Sequence, residues 1–463
     1  MENFWDSNVW GTYLILAVLF VSLLLANTLK RKIPLLRKSL IPASVLGGSL
    51  ILIAEGLFKL ISNGGALFDA SIFGENAINS LEVLTYHCLA LGFIASTLKA
   101  SDAKITAKRS VEIFNTGVTT VSTYLLQGIL GMGITMVAAM LVKSFFPAAG
   151  LLLPFGYGQG TGQALNYGNI YETQFGFAGG KSFGLTVAAL GFLSAAIGGV
   201  THLNLLRKTK KIKMDAQTHH IHSFEEIEAE NEIPMQDSMD KMTFQVSLVA
   251  VSYLITYILM VLLGKLLPGM KSVIYGFNFL LGVLSATLVK FVIGLLRKTK
   301  LMNRGYLNNF LLTRISNFFF DLMVVAGVAA IRLDALEMYW GIMLILGVVG
   351  LICTYIYNYM IAKRLYPEYP EEQFLMMFGM LTGTASTGTI LLRELDPDFK
   401  TPAADNMVYQ NFPAIVFGFP MMLLATLAPQ KPVLTFLILV AFFAVMNVIL
   451  FRSFIFKKKA QKV

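Results

Sequence analysis

One seven-residue pattern occurs twice in this chain and constrains its fold more than any other feature. Phe155-Gly156-x-x-x-Gly160-Thr161 returns as Phe378-Gly379-x-x-x-Gly383-Thr384, an offset of 378 − 155 = 223 residues. Each copy breaks an apolar stretch with Gly, Thr, Ser and Gln. Inside a bilayer, irregular backbone is tolerated only where protein or a water-filled cavity satisfies its polar groups. Paired glycine-rich breaks in corresponding halves of a chain point to the binding site of a secondary transporter.

The surroundings of the two copies fit a membrane setting. The chain is 56% hydrophobic and only 14% charged, where a soluble domain carries about 25% charged residues. Eleven stretches are long and apolar enough to span: 9–28, 41–61, 81–98, 111–142, 181–206, 242–267, 273–296, 307–331, 338–362, 405–428 and 432–456. Glu2 and Asp6 precede the first, which reads as an anchor helix and not as a cleaved signal. Cys88 and Cys353 each lie within an apolar stretch, as small buried hydrophobes and not as a disulfide framework. The motif segments, about 150–171 and 373–395, are too polar to span alone and read as re-entrant helical hairpins.

Basic residues orient the spans. Lys30-Arg31-Lys32, Lys99 to Arg109, Arg207 to Lys213, Arg297 to Arg304, Lys363-Arg364 and Lys457-Lys458-Lys459 fall on one side of the alternating topology. That side is the cytoplasm, so the N-terminus is outside and the C-terminus inside. The formal net charge of +10 then belongs to loops facing anionic headgroups, not to a nucleic-acid surface. A thiol placed by Glu225→Cys is expected to react with impermeant reagents from the cytoplasmic side only. Labelling from outside would overturn this orientation.

Shifting the first five spans forward by 223 residues lays them on spans six to ten, with the hairpins in register. Five is odd, so the second half is inverted: one hairpin enters from outside and the other from the cytoplasm. The expected organisation is an all-α protein with a first inverted repeat at 1–206 and a second at 242–428. A charged cytoplasmic linker at 207–241 joins them, and an extra helix with a basic tail occupies 429–463. His219, His220 and His222 in the linker lack the spacing of a specific metal site.

The chemistry belongs to the hairpin tips. A helix start exposes N–H groups that favour a carboxylate, while unwound carbonyls and hydroxyls offer oxygen ligands to a monovalent cation. Glycine allows backbone to approach the ligand closely. Candidate substrate contacts are Gln159, Gly160, Thr161, Gly162 and Gln163 at the first tip, and Gly383, Thr384, Ala385, Ser386 and Thr387 at the second. Thr161 and Thr382 are candidate sodium ligands, joined by Asn317 and Asp321. Arg314, Asn317 and Asp321 stand at i, i+3 and i+7, on one helix face. A carboxylate at mid-span is a functional candidate: three roles are open to Asp321, as sodium ligand, proton carrier or partner of a cationic substrate group. A buried pair with Arg314 is the structural alternative. His87 reads as a packed histidine, with proton transfer as the sharper alternative.

These residues resemble the glutamate:sodium symporter family of bacterial inner-membrane carriers. The likeness is carried by Ile41-Pro42-x-x-Val45-x-Gly47-Gly48, Gln127, Gly156-Tyr157-Gly158-Gln159-Gly160-Thr161-Gly162, Ile197-Gly198-Gly199 and Phe412-Pro413. The second tip, Thr382 to Thr387, is less glycine-rich than the family's run. The resemblance implies an elevator-like carrier that works as a homodimer. It takes glutamate or another small anion with sodium as the coupling ion and needs no cofactor. A proton-coupled organic-anion carrier and a passive channel remain as alternatives. No nucleophile–base pair stands beside the tips and no phosphate-binding loop occurs in the sequence, which argues against an enzyme and an ATP-driven pump.

Overall fold

A computed structural model describes residues 3–62, 65–74, 76–99, 106–142, 145–210, 239–301, 306–397 and 400–455. Most of the expected linker (211–238) and the basic tail (456–463) lie outside the described residues. Among the described residues all regular structure is helical: α1 Ser7–Lys32, α2 Pro34–Lys38, α3 Ala43–Ile61, α4 Ala77–Leu98, α5 Ala107–Leu141, α6 Leu152–Phe175, α7 Gly180–Lys210, α8 Lys241–Leu266 and α9 Lys271–Gly276. There follow α10 Asn278–Lys298, α11 Asn309–Ala329, α12 Trp340–Leu365, α13 Pro370–Thr382, α14 Ala385–Arg393, α15 Ala403–Tyr409, α16 Asn411–Leu427, α17 Pro432–Leu450 and α18 Arg452–Ile455.

Among the described residues ten of these are long and apolar enough to cross a membrane, or eleven if the bent pair α15–α16 is one span. This is a multi-pass membrane protein. The stretch expected as one span at 405–428 is bent by 50° between α15 and α16. Cys88 and Cys353 are free thiols.

The helices group into two compact units. The first comprises Met1–Glu82, Ile105–Leu205 and Val324–Val463; the second comprises Val83–Lys104 and Leu206–Met323. In the first, α5 is the organising element and packs on α6, α12, α16 and α17. Its 35 residues extend about 52 Å at the helical rise, more than a bilayer core of about 30 Å requires. Thr116, Thr119, Thr120 and Thr123 hydroxyls donate to carbonyls one turn back. A run of threonines is thereby satisfied within the helix that carries it.

Lipid tails supply no hydrophobic drive between helices, so close backbone packing must do so. Gly131 of α5 and Gly150 supply it directly: a Cβ on Gly150 would fall 1.9 Å from the Gly131 carbonyl oxygen. In the second unit, α8 packs on α10. Ile94, Leu98, Val249, Ala286, Val289, Leu312 and Ile315 form its core. Ser316 Oγ donates to the Gly92 carbonyl at 2.9 Å, and His87 Nδ1 lies 2.6 Å from the Tyr253 hydroxyl.

Candidate functional site

The first motif folds back on itself. Gly160 has φ 76° and ψ −170° inside α6, a left-handed conformation that L side chains rarely adopt. Phe155 and Tyr167 stack with centroids 3.9 Å apart and planes at 4°. Twelve residues of straight helix would hold those rings about 18 Å apart. The chain therefore reverses at Gly160, leaving two antiparallel arms. Tyrosines fix the arms: Tyr124 Oη donates to Gly158 O at 3.0 Å, Tyr157 Oη to Gly347 O at 2.7 Å, and Tyr167 Oη to Met422 O at 2.9 Å.

At this tip Gln159 is half-buried, while Gly160, Thr161, Gly162 and Gln163 are buried. Thr161 rests on Gly327 of α11, where a Cβ would come within 2.7 Å of the Thr161 Cβ. Gln163 Oε1 accepts from Asn166 Nδ2 at 3.2 Å. Its Nε2 has no hydrogen-bond partner among the described residues. A buried amide donor left unspent is costly and marks a place where an acceptor would be welcome.

The second motif breaks between α13 and α14. Its arms lie so close that a Cβ on Gly379 would fall 2.8 Å from the Gly388 Cα. Thr382, Gly383 and Thr387 are buried, Thr384 and Ser386 half-buried, and Ala385 exposed. Thr382 Oγ1 donates to Phe378 O at 2.6 Å, and the Thr384 and Thr387 hydroxyls are 3.4 Å apart. Thr384 opens α14 from an extended conformation, and its side chain makes no cap. The Thr384 side chain thus does not cap the first amides of α14, the kind of group that binds anions at a helix start.

Both motifs meet on α7. A Cβ on Gly191 would fall 2.5 Å from the Thr382 carbonyl oxygen and 3.1 Å from the Tyr157 ring. One glycine turn therefore touches the second tip and the first hairpin together. From α5, Gln127 Nε2 reaches the Leu381 carbonyl at 3.0 Å. The substrate candidates of both tips, with Thr161 and Thr382, thus lie in the first unit.

Asn317 and Asp321 belong to the second unit, and there the structure corrects an expectation. Asp321 is exposed, as are Asn317 and Arg314, so the expected burial of the carboxylate is not found. The Arg314 guanidinium lies 5.1 Å over the Phe310 ring. Helical spacing had put the three residues on one face and could not say which way that face turns.

The root of the second hairpin holds groups that the sequence reading passed over. His202 of α7 is buried between Glu371 (Nε2 to Oε2, 2.9 Å) and the Tyr355 hydroxyl (Nδ1, 2.7 Å). Lys363 Nζ donates to the other Glu371 oxygen at 2.7 Å. Nearby, the Tyr369 hydroxyl donates to Glu112 at 2.8 Å and accepts from Asn406 Nδ2 at 3.0 Å. Burial pushes the Tyr369 hydroxyl up, so it stays protonated and keeps donating. A histidine inside an otherwise apolar span, and a glutamate opening α13, were the signals available in the sequence.

A family model described as sodium/glutamate symporter matches residues 9–368, which include the first hairpin and end before the second. No curated protein compared with the chain matches it.

Proposed function

Because this chain belongs to the sodium/glutamate symporter family, we propose that it carries glutamate or a related small anion into the cell together with sodium. The observation that supports this most is Gly191, which packs on Thr382 of the second break and on Tyr157 three residues before the first, where Gln163 Nε2 has no partner among the described residues. In this reading the substrate carboxylate sits between the tips. The amides after Gly160 and Thr384, the Gln163 amide and the Ser386 and Thr387 hydroxyls face it. Gln159, Thr161, Gly162, Gly383 and Ala385 complete the wall. Thr161, Thr382, Asn317 and Asp321 serve the sodium ions. A mid-span polar stripe in a membrane protein faces a water-filled passage or a protein partner. The exposed Arg314–Asn317–Asp321 face fits such a passage.

The remaining architecture follows from the same reading. Residues 1–206 and 242–428 are inverted repeats whose hairpins, about 150–171 and 373–395, enter from opposite sides. Residues 207–241 link the repeats in the cytoplasm, and 429–463 stand outside them. The protein works as a homodimer in the bacterial inner membrane, N-terminus out and C-terminus in. Alternating access is of the elevator type. It is a carrier and not a catalyst.

Reconstitution tests the proposal. Proteoliposomes are expected to accumulate glutamate saturably under an inward sodium gradient and to stop when a sodium ionophore collapses it. Accumulation driven by a proton gradient alone would replace sodium by protons. Flux that never saturates would make the protein a channel.

A further inference from the structure

Gln127 lies within α5, is fully buried, and has only half of its amide engaged. Its Nε2 donates to Thr354 Oγ1 at 2.8 Å and to the Leu381 carbonyl at 3.0 Å. Both amide hydrogens are thereby used, and the orientation of the group is fixed from two sides. Its Oε1 has no hydrogen-bond partner among the described residues. A bare amide oxygen in a dry interior is unfavourable unless something positive or hydrogen-donating occupies the place beside it.

The surroundings decide what that occupant is. Leu381 belongs to the last turn of α13, which ends at Thr382 with Gly383 in its cap position. The final carbonyls of a helix carry partial negative charge. Gln127 Nε2 is bonded to the Leu381 carbonyl and the Thr354 hydroxyl, so these two neutral oxygens and the unpartnered Oε1 surround one amide group. Such a set repels a carboxylate and suits a small hard cation. The oxygens named carry no formal charge, which fits an ion of charge +1 better than one of +2.

We propose that Gln127 Oε1, together with the last-turn carbonyls of α13, holds the coupling sodium ion. This rests on the sodium-coupled reading above and adds a ligand from a helix outside both hairpins. The arrangement also has a consequence for coupling. The cation lies at the end of α13, and the first amides of α14, which favour an anion, follow three residues later. Opposite charges held that close attract each other, so sodium occupancy favours substrate binding and the reverse.

The test uses the purified full-length protein, titrated with sodium without substrate at constant ionic strength, with the melting temperature as readout. A ligand that binds only the folded state raises that temperature. In Gln127→Met the half-saturating sodium concentration is expected to rise about tenfold, the effect of losing one good ligand. Substrate KM at saturating sodium is expected to stay within about threefold of wild type, since no substrate contact is removed. If Gln127→Met does not fold, Thr354→Val loosens the same amide and is expected to raise half-saturating sodium about threefold. A folded variant with an unchanged sodium titration overturns the assignment. So does a raised substrate KM with unchanged sodium dependence, which would give the oxygen to a substrate ammonium or a water. A wild-type protein indifferent to sodium defeats the sodium-coupled reading itself, whereas an indifferent variant beside a responsive wild type defeats only this assignment.

Discussion

Gly160→Val is expected to abolish uptake and to leave a folded, membrane-inserted protein. Gly160 stands at φ 76° and ψ −170°, a region almost confined to glycine, where a side chain on an L residue costs about 1–3 kcal/mol. The break cannot relax freely, because Thr161 is packed against Gly327 and the Gly158 carbonyl is held by Tyr124. A cost of that size is a modest part of a typical stability of about 5–15 kcal/mol, so the fold survives while the tip moves. Binding sites tolerate displacements of only about 0.5 Å. Gly160→Ala is expected to lose most of its uptake for the same reason.

Gly383 behaves differently although it is the equivalent position. Its φ of −145° lies outside the left-handed region, and one obstacle to a side chain is spatial. A Cβ there would fall 2.8 Å from Thr387 Oγ1 and 3.1 Å from the Gly379 carbonyl oxygen. The Thr387 hydroxyl can turn away, so Gly383→Ala is expected to keep partial uptake, while the larger Gly383→Val loses it. Initial rates in proteoliposomes, normalised to monodisperse protein, rank the four variants. Wild-type rates in Gly160→Val would remove the site from the first hairpin.

The contrast between the two glycines shows what was legible in the sequence. The repeat located both breaks to the residue, because a glycine-rich interruption of an apolar run has few other uses in a bilayer. It could not tell that one break turns on a left-handed glycine and the other on crowding, since that depends on neighbours distant in sequence. The spans were readable for a similar reason: length and hydropathy alone decide them. Gln127 was legible as part of the family likeness but not as an ion ligand, because its partners lie 227 and 254 residues away. The His202–Glu371–Lys363 cluster was hidden in the same way, its members spread over α7, α12 and α13. The exposure of Asp321 was hidden for a different reason. Periodicity gives the residues that share a face, but whether that face is turned inward depends on the packing of other helices.

Asp321→Asn is expected to give a stable protein with impaired sodium coupling. Asp321 is exposed, so removing its charge exacts little stability. The amide keeps an oxygen for the ion and loses the charge that attracts it. Half-saturating sodium is therefore expected to rise by an order of magnitude or more, about 1.4 kcal/mol or above. Substrate affinity should fall with it, because the two ligands are thermodynamically linked. Uptake measured across sodium concentration and pH separates the other roles. If Asp321 carries a coupling proton, the variant loses the pH dependence of uptake and keeps its sodium dependence. If it meets a cationic group of the substrate, discrimination between an amino acid and its desamino dicarboxylate collapses while both ion dependences persist. A stable Asp321→Asn protein with unchanged sodium, pH and substrate profiles would remove the residue from the site, leaving the ions to Thr161, Thr382 and Gln127 in the first unit.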